Sequence, residues 1–119
     1  MMDLETRRQA VSDLVLLRKT APDAIAEMRK YPWDCDEELV TLGPTELRAV
    51  IDKFLTDKLS AQELEDWANE VEGRDDIEFA PREMTDLVAE IANPMLFEAI
   101  TPTAMRSLAS RLDSLETDD

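Results

Sequence analysis

The chain has 119 residues, of which 44% are hydrophobic and 34% are charged. This length suits one core, and the apolar content is high enough for folding. Acidic residues outnumber basic ones by 28 to 13, and the net charge of -15 opposes attraction to phosphate backbones and anionic lipids. We therefore expect one soluble domain, with no nucleic-acid partner and no membrane partner.

The N-terminal part of the chain has helical periodicity. Two glycines against six prolines favour helices with proline punctuation over tight β-hairpins. One helix is predicted over about residues 4–19 and a second, short one follows a capped restart at Thr20. Together they predict an N-terminal helical hairpin over residues 1–30, packed on a core formed by residues 44–115.

The longest irregular stretch is residues 31–43. It has no clean helical period, and its last part, residues 39–42, is compatible with an extended segment against the core. Gly43 and Pro44 then open the next helix.

A central antiparallel helical hairpin is predicted from helices at residues 44–56 and 61–72. Ser60 and Glu63 have the spacing of a capping box, which specifies the start of the second helix. Gly73 stands where a left-handed residue commonly ends a helix. The prediction is an all-α, single-domain bundle of five or six helices.

Two more helices complete the predicted bundle. Pro81 and Thr101 mark their starts, and residues 93–94 (Asn-Pro) end the first of them. Residues 116–119 are expected to form a frayed tail. The predicted core contains Leu14, Leu47, Ile51, Phe54, Leu64, Trp67, Leu87, Ile91 and Leu108.

The composition argues against an enzyme. The chain has no histidine, the usual proton-transfer group near neutral pH and a common zinc ligand. Cys35 lies between Asp34 and Asp36, whose charges disfavour the reactive thiolate, and it has no partner cysteine for a disulfide. We expect no cofactor, no bound zinc or iron, calcium only at ~10⁻⁴ M or weaker, and a cytoplasmic location.

Two acidic segments stand out, at residues 34–38 and 63–78. Residues 61–80 carry eight acidic side chains and one basic one, Arg74. Glu70 and Glu72 lie in the last turn of their predicted helix, where the helix dipole favours cations. Such uncompensated charge is typical of a functional site, but it is equally compatible with an ordinary solvated face.

The two tryptophans are interpreted differently. Trp67 lies on the inward stripe of its predicted helix and is assigned to the core. Trp33 lies in the irregular acidic segment, where an aromatic anchor surrounded by carboxylates could form a protein-binding patch. The candidate partner-binding residues are Trp33, Asp34, Asp36, Glu37, Glu38, Glu70, Glu72, Arg74, Asp75 and Asp76.

Three sequence patterns carry a resemblance. These are W-D-x-D-E-E-L at residues 33–39, F-L-x(3)-L-S-x-x-E-L-x-x-W-A at 54–68 and R-D-D-I at 74–77. Cys35 occupies the variable position of the first pattern. Together they resemble an uncharacterised family of small, acidic, all-helical bacterial proteins, which implies a fold but no activity. Residues 54–64 are also faintly similar to immunity proteins of the colicin D type, small helical inhibitors of a tRNA-cutting toxin.

Two functions are consistent with these features. The first is an acidic protein-binding module, of the immunity or antitoxin kind, that covers the basic groove of a partner such as a nuclease. The alternative is an accessory or regulatory subunit that binds through an apolar patch, without electrostatic recognition. The sequence indicates no oligomeric state.

Overall fold

The computed structural model describes residues 4–117, and of residues 116 and 117 only the backbone. Six helices and two strands follow one another within these residues. In chain order they are α1 (Leu4–Leu16), α2 (Ala21–Met28), β1 (Val40–Leu42), α3 (Pro44–Leu55), α4 (Ala61–Val71), β2 (Ile77–Phe79), α5 (Glu83–Ala92) and α6 (Pro102–Thr117). The fold class is all-α, as predicted.

Local capping explains several helix boundaries. The Thr20 hydroxyl accepts a hydrogen bond from the Asp23 amide at the start of α2. The Ser60 hydroxyl accepts from the Glu63 amide while the Glu63 carboxylate accepts from the Ser60 amide, so the predicted capping box starts α4. Gly73 has the expected positive φ, at 80°, after the end of α4.

Two predicted helix boundaries are wrong by a few residues. Helix α1 stops at Leu16 because Leu17 has a left-handed φ of 48°, which a right-handed helix does not accept. Helix α5 begins at Glu83, two residues after Pro81. Helix α6 continues to Thr117 and so includes the first two residues of the segment 116–119 that is expected to form a frayed tail. Residues 118–119 lie outside the described part of the chain.

A short parallel sheet joins two segments that are distant in sequence. Strand β1 pairs with β2 in a register that matches Val40 with Ile77 and Leu42 with Phe79. Parallel neighbours need a crossover, and here the α3–α4 segment provides it. The extended segment at the end of residues 31–43 was anticipated, whereas β2 was not.

The core lies between the helices and the inner face of the sheet. Trp67 is 0% exposed, and its indole Nε1 donates a hydrogen bond to the Leu14 carbonyl oxygen at 2.8 Å, which ties α4 to α1. Eight of the nine predicted core residues are buried, and Phe54 is partly buried against them. Helix α3 packs chiefly on α6 and α4 chiefly on α5, while α2 lies on α1 and α4.

The chain is compact for its length. The Cα radius of gyration is 13.8 Å, close to the ~13.5 Å expected of a folded chain of this size. Within the described residues, no helix combines the length and the apolar character needed to cross a membrane.

Candidate functional site

The sheet brings the two predicted acidic segments together. Residues 34–38 run into β1, and Asp75 and Asp76 run into β2. Because the strands are parallel and each segment precedes its strand, both segments lie at the same end of the sheet. The Leu39 amide donates to the Asp76 carbonyl oxygen at 2.8 Å, and the Asp75 amide donates to the Trp33 carbonyl oxygen at 3.2 Å.

Beneath these segments lies a buried ion cluster, formed by Arg7, Glu70, Arg74 and Asp76. Asp76 is fully buried and is held by both arginines. The Arg74 Nε donates to Asp76 Oδ1 at 3.0 Å, and the Arg7 Nε donates to Asp76 Oδ2 at 3.0 Å. The Arg74 Nη1 also reaches Glu70 Oε2 at 3.4 Å. The formal charges of the four groups cancel.

The cluster fixes the irregular segment that carries Trp33. The Nη2 atoms of Arg7 and Arg74 both donate to the Pro32 carbonyl oxygen, at 2.7 and 3.1 Å. Arg7 Nη2 donates in addition to the Asp34 carbonyl oxygen at 3.1 Å. The Arg74 guanidinium carbon lies 4.9 Å from the centre of the Trp33 ring, within the range of a cation–π contact. Trp33 is therefore held in position from below although 45% of its surface is exposed.

The structure divides the predicted binding residues into two groups. Buried are Glu70, Arg74 and Asp76, which belong to the ion cluster. Exposed or half-buried are Trp33, Asp34, Asp36, Glu37, Glu38, Glu72 and Asp75. Only the second group, which we call the acidic face, can contact a partner directly.

The interpretation of Glu70, Arg74 and Asp76 as surface charges is thus corrected. Glu70 is only 8% exposed, because α2 packs on α4, and Arg74 and Asp76 are buried with it. The negative charge of Glu70, which was predicted to be uncompensated, is balanced by two cations. Its carboxylate contacts Arg74 at 3.4 Å and Arg29 at 3.9 Å.

Arg7 is the site residue that sequence reasoning missed. It lies in α1, 69 positions from Asp76. A signal was present, because Arg7 occupies the inward stripe that continues with Ala10, Val11 and Leu14. An arginine on a buried helical stripe needs a buried acceptor, so its position could have pointed to an internal carboxylate.

Two concave surfaces flank Trp33. One is a groove of about 670 Å³ between α2 and α4, lined at one place by Trp33. The other is a hollow of about 350 Å³, which Leu4 and Arg7 line together with residues 34–37. The two meet at consecutive residues, because Trp33 lines the groove and Asp34 lines the hollow.

The described residues of this region form no metal-binding site. Among the residues that the structure describes, no three carboxylate or thiol side chains are grouped so that they could hold a metal ion. Cys35 is half-buried and free. Every buried side-chain nitrogen or oxygen in the described part has a hydrogen-bond partner.

The comparisons with known proteins add no relative. The sequence has no significant match to a protein-family model, to a curated protein or to a solved structure. The site must therefore be interpreted from its own geometry and charge.

Proposed function

We propose that this chain is an acidic protein-binding module that recognises a basic protein, in the manner of immunity and antitoxin proteins that block a nuclease. The observation that carries the proposal is an exposed tryptophan that rests on the Arg74 guanidinium and is followed in the chain by exposed carboxylates. Trp33 is 45% exposed, and the buried ion cluster holds it from below. The protein acts by binding, not by catalysis, and we place it in the cytoplasm.

A fixed aromatic anchor favours tight binding. Tryptophan is among the residues that most often dominate interface energetics, and ordering an anchor before association lowers the entropy lost in the complex. The backbone of residues 32–34 accepts three hydrogen bonds from Arg7 and Arg74. Trp33 is thus presented by a supported segment.

The charge around Trp33 favours a basic partner. Asp34, Asp36, Glu37 and Glu38 are exposed beside it, and Asp75 follows on the adjacent segment. Complementary potentials speed the encounter of two proteins and set their orientation, while the aromatic contact slows dissociation. A basic surface that normally holds phosphates is the kind of surface this face would cover.

The proposal is tested by affinity capture from a lysate of the organism that encodes the chain. We expect wild type to retain a basic protein at about 50 mM NaCl and to lose most of it at about 500 mM, where charges are screened beyond ~4–5 Å. Trp33→Ala and the double variant Asp36→Asn, Glu37→Gln should each retain markedly less of that protein.

The matched control is the double variant Glu83→Gln, Asp86→Asn. It removes the same two charges from exposed positions at the start of α5. It should retain the partner as wild type does. If the captured protein is acidic, or if Trp33→Ala and the acidic-face variant behave like the control, the proposed function is wrong.

A second candidate function rests on a separate apolar surface. Met95, Leu96 and Phe97 are 97%, 79% and 58% exposed in the segment between α5 and α6. Consecutive exposed large apolar side chains are uncommon on monomers and often mark a protein contact. Nearby, Arg111 makes two hydrogen bonds to Glu90, which raise the pKa of its guanidinium. The second candidate is therefore that this chain is an accessory or regulatory subunit and binds its partner through this apolar segment.

The two functions predict opposite responses. A partner bound through residues 95–97 should be retained at high salt and lost in the double variant Leu96→Ser, Phe97→Ser. This variant should fold normally, since both side chains are exposed. Loss of the partner in this variant, together with full binding by Trp33→Ala, would favour the accessory-subunit function.

A further inference from the structure

We infer that the groove between α2 and α4 is the subsite for a basic amphipathic helix of the partner. This inference rests on the proposed function and gives it a location and a ligand shape. Its elements are a two-turn groove, one apolar wall, one acidic wall, and an arginine of the chain itself at one end.

The groove has two chemically different walls. The α2 wall is lined by four apolar residues, Ala21, Pro22, Ile25 and Ala26, of which Pro22 and Ala26 are exposed. The α4 wall contains Glu63, Asp66 and Glu70, at positions three and four residues apart on one face of the helix. Glu63 is half-buried and Asp66 is exposed, whereas Glu70 is buried at the base of the wall. From Glu63 to Glu70 the wall is about 10 Å long, or two helical turns.

This arrangement matches a helix with an apolar and a basic stripe. A partner helix lying along the groove would place its apolar residues, spaced at i, i+3, i+4 and i+7, against α2. Its lysines or arginines would then face the carboxylates of α4. A uniformly basic peptide would leave the α2 wall uncovered, and a uniformly apolar one would bury carboxylates without a cation.

Two carboxylates of the acidic wall have no cation partner among the described residues. Glu63 accepts a hydrogen bond from the Ser60 amide at 2.9 Å, and Asp66 accepts one from the Gln62 side-chain amide at 2.9 Å. Neither of them forms an ion pair in the described part of the chain. Both are fixed in place by neutral donors and remain able to receive a cation.

The third carboxylate already receives a cation from across the groove. Arg29, at the end of α2, lies with its Nε 3.9 Å from Glu70 Oε1, although its side chain is 76% exposed. Such an exposed, long contact is weak. Because Glu70 is buried and is also bound by Arg74, a partner's cations would bind Glu63 and Asp66 instead, and Arg29, which lines the same groove, is a like charge that a basic helix has to displace.

The experiment uses the full chain and a synthetic probe. The probe is a fluorescent helical peptide of about 18 residues, made of leucine and lysine with one stripe of each, long enough to span the groove. A peptide of the same composition in scrambled order is the comparator. Affinities are measured by anisotropy at about 50 mM NaCl, where exposed charges are weakly screened.

We expect the double variant Glu63→Gln, Asp66→Asn to bind the amphipathic peptide about tenfold more weakly than wild type, from two lost charge contacts. Glutamine at position 63 keeps the capping box, so α4 should remain intact. Its matched control is Glu83→Gln, Asp86→Asn, the same residue types at the same spacing on α5, which should stay within about twofold of wild type.

Two further variants examine the apolar wall and the competing arginine. Ala26→Gln should weaken binding without a change of charge, whereas Ala49→Gln, at an exposed alanine of α3, should not. Arg29→Gln should strengthen binding by about two- to threefold, more than Arg106→Gln on α6, since only Arg29 competes at the groove.

The inference is overturned if the amphipathic peptide binds no better than the scrambled one. It is also overturned if the groove variants and their controls behave alike. In that case capture of a basic partner that still depends on Trp33 and on Asp36 and Glu37 would leave the proposed function standing. If that capture also fails, both are wrong.

Discussion

At the scale of single residues, Asp76 contributes most to the arrangement of the candidate site. It is fully buried, and both oxygens of its carboxylate accept hydrogen bonds from guanidinium groups, those of Arg7 in α1 and of Arg74 in the segment after α4. A buried carboxylate is tolerated only when paired and hydrogen-bonded, and here the pairing also holds residues 32–34 in place.

We expect Asp76→Asn to lower the free energy of unfolding by about 3–5 kcal/mol. Two buried arginines, Arg7 and Arg74, would then remain with a single carboxylate in the cluster, that of Glu70. The loss of this pairing outweighs any gain from removing a negative charge near the end of α4, where the helix dipole favours cations. Urea unfolding at neutral pH provides the measurement.

The neighbouring residue offers the control. Asp75 is exposed, and Asp75→Asn should change the free energy of unfolding by no more than about 0.5 kcal/mol. A loss below about 1 kcal/mol in Asp76→Asn would mean that the cluster contributes little and that other contacts hold Trp33.

At the scale of elements, α4 connects most parts of the molecule. It packs on α5, on α2 and on α1, it provides the acidic wall of the groove, and its end leads into Arg74 and Asp76. Its start is specified by the Ser60 capping box and its end by Gly73. The position of the groove therefore depends on where this helix begins.

We expect Ser60→Ala to lower the free energy of unfolding by about 1 kcal/mol, because the Glu63 amide would lose its acceptor at the helix start. Ser60→Gly should cost only a few tenths of a kcal/mol, since glycine is tolerated at an N-cap. Thermal and urea unfolding of both variants supply the measurement. Equal stability of Ser60→Ala and wild type would contradict the role assigned to the capping box.

At the scale of the whole molecule, negative charge is unevenly distributed. Residues 1–30 carry six basic and five acidic side chains, for +1, whereas residues 31–119 carry seven and 23, for -16. Arg7 contributes one of the few cations of the first part to the buried cluster. The field of the molecule therefore comes mainly from its later part, where the acidic face and the acidic wall lie.

We expect added NaCl to stabilise the protein, because screening reduces the mutual repulsion of a chain with net charge -15. Urea unfolding at about 20 and 300 mM NaCl measures the effect at constant pH. The variant Glu83→Gln, Asp86→Asn, with two fewer negative charges, should gain less from salt. A fall in stability with salt would show that attractive ion pairs outweigh repulsion.

Much of the helical architecture could be predicted because its signals are local. The Ser60 capping box, the left-handed Gly73 and the inward stripe that buries Trp67 each depend on residues within a few positions of one another. The acidic segments could be located in the same way, whereas the irregular sequence around Trp33 left open whether its side chain is exposed. The end of α1 at Leu16 could not, since nothing in the local sequence requires a left-handed leucine next to it.

The exposure of the acidic residues depended on contacts between distant parts of the chain. Asp75 and Asp76 are adjacent and chemically alike, yet one faces solvent and the other is buried with Arg7, 69 positions away. The parallel pairing of β1 with β2 likewise joins residues 37 positions apart. Local periodicity determines which face of a helix is apolar, but only the packing of other elements determines which of its charges is covered, because that requires a partner from elsewhere in the chain.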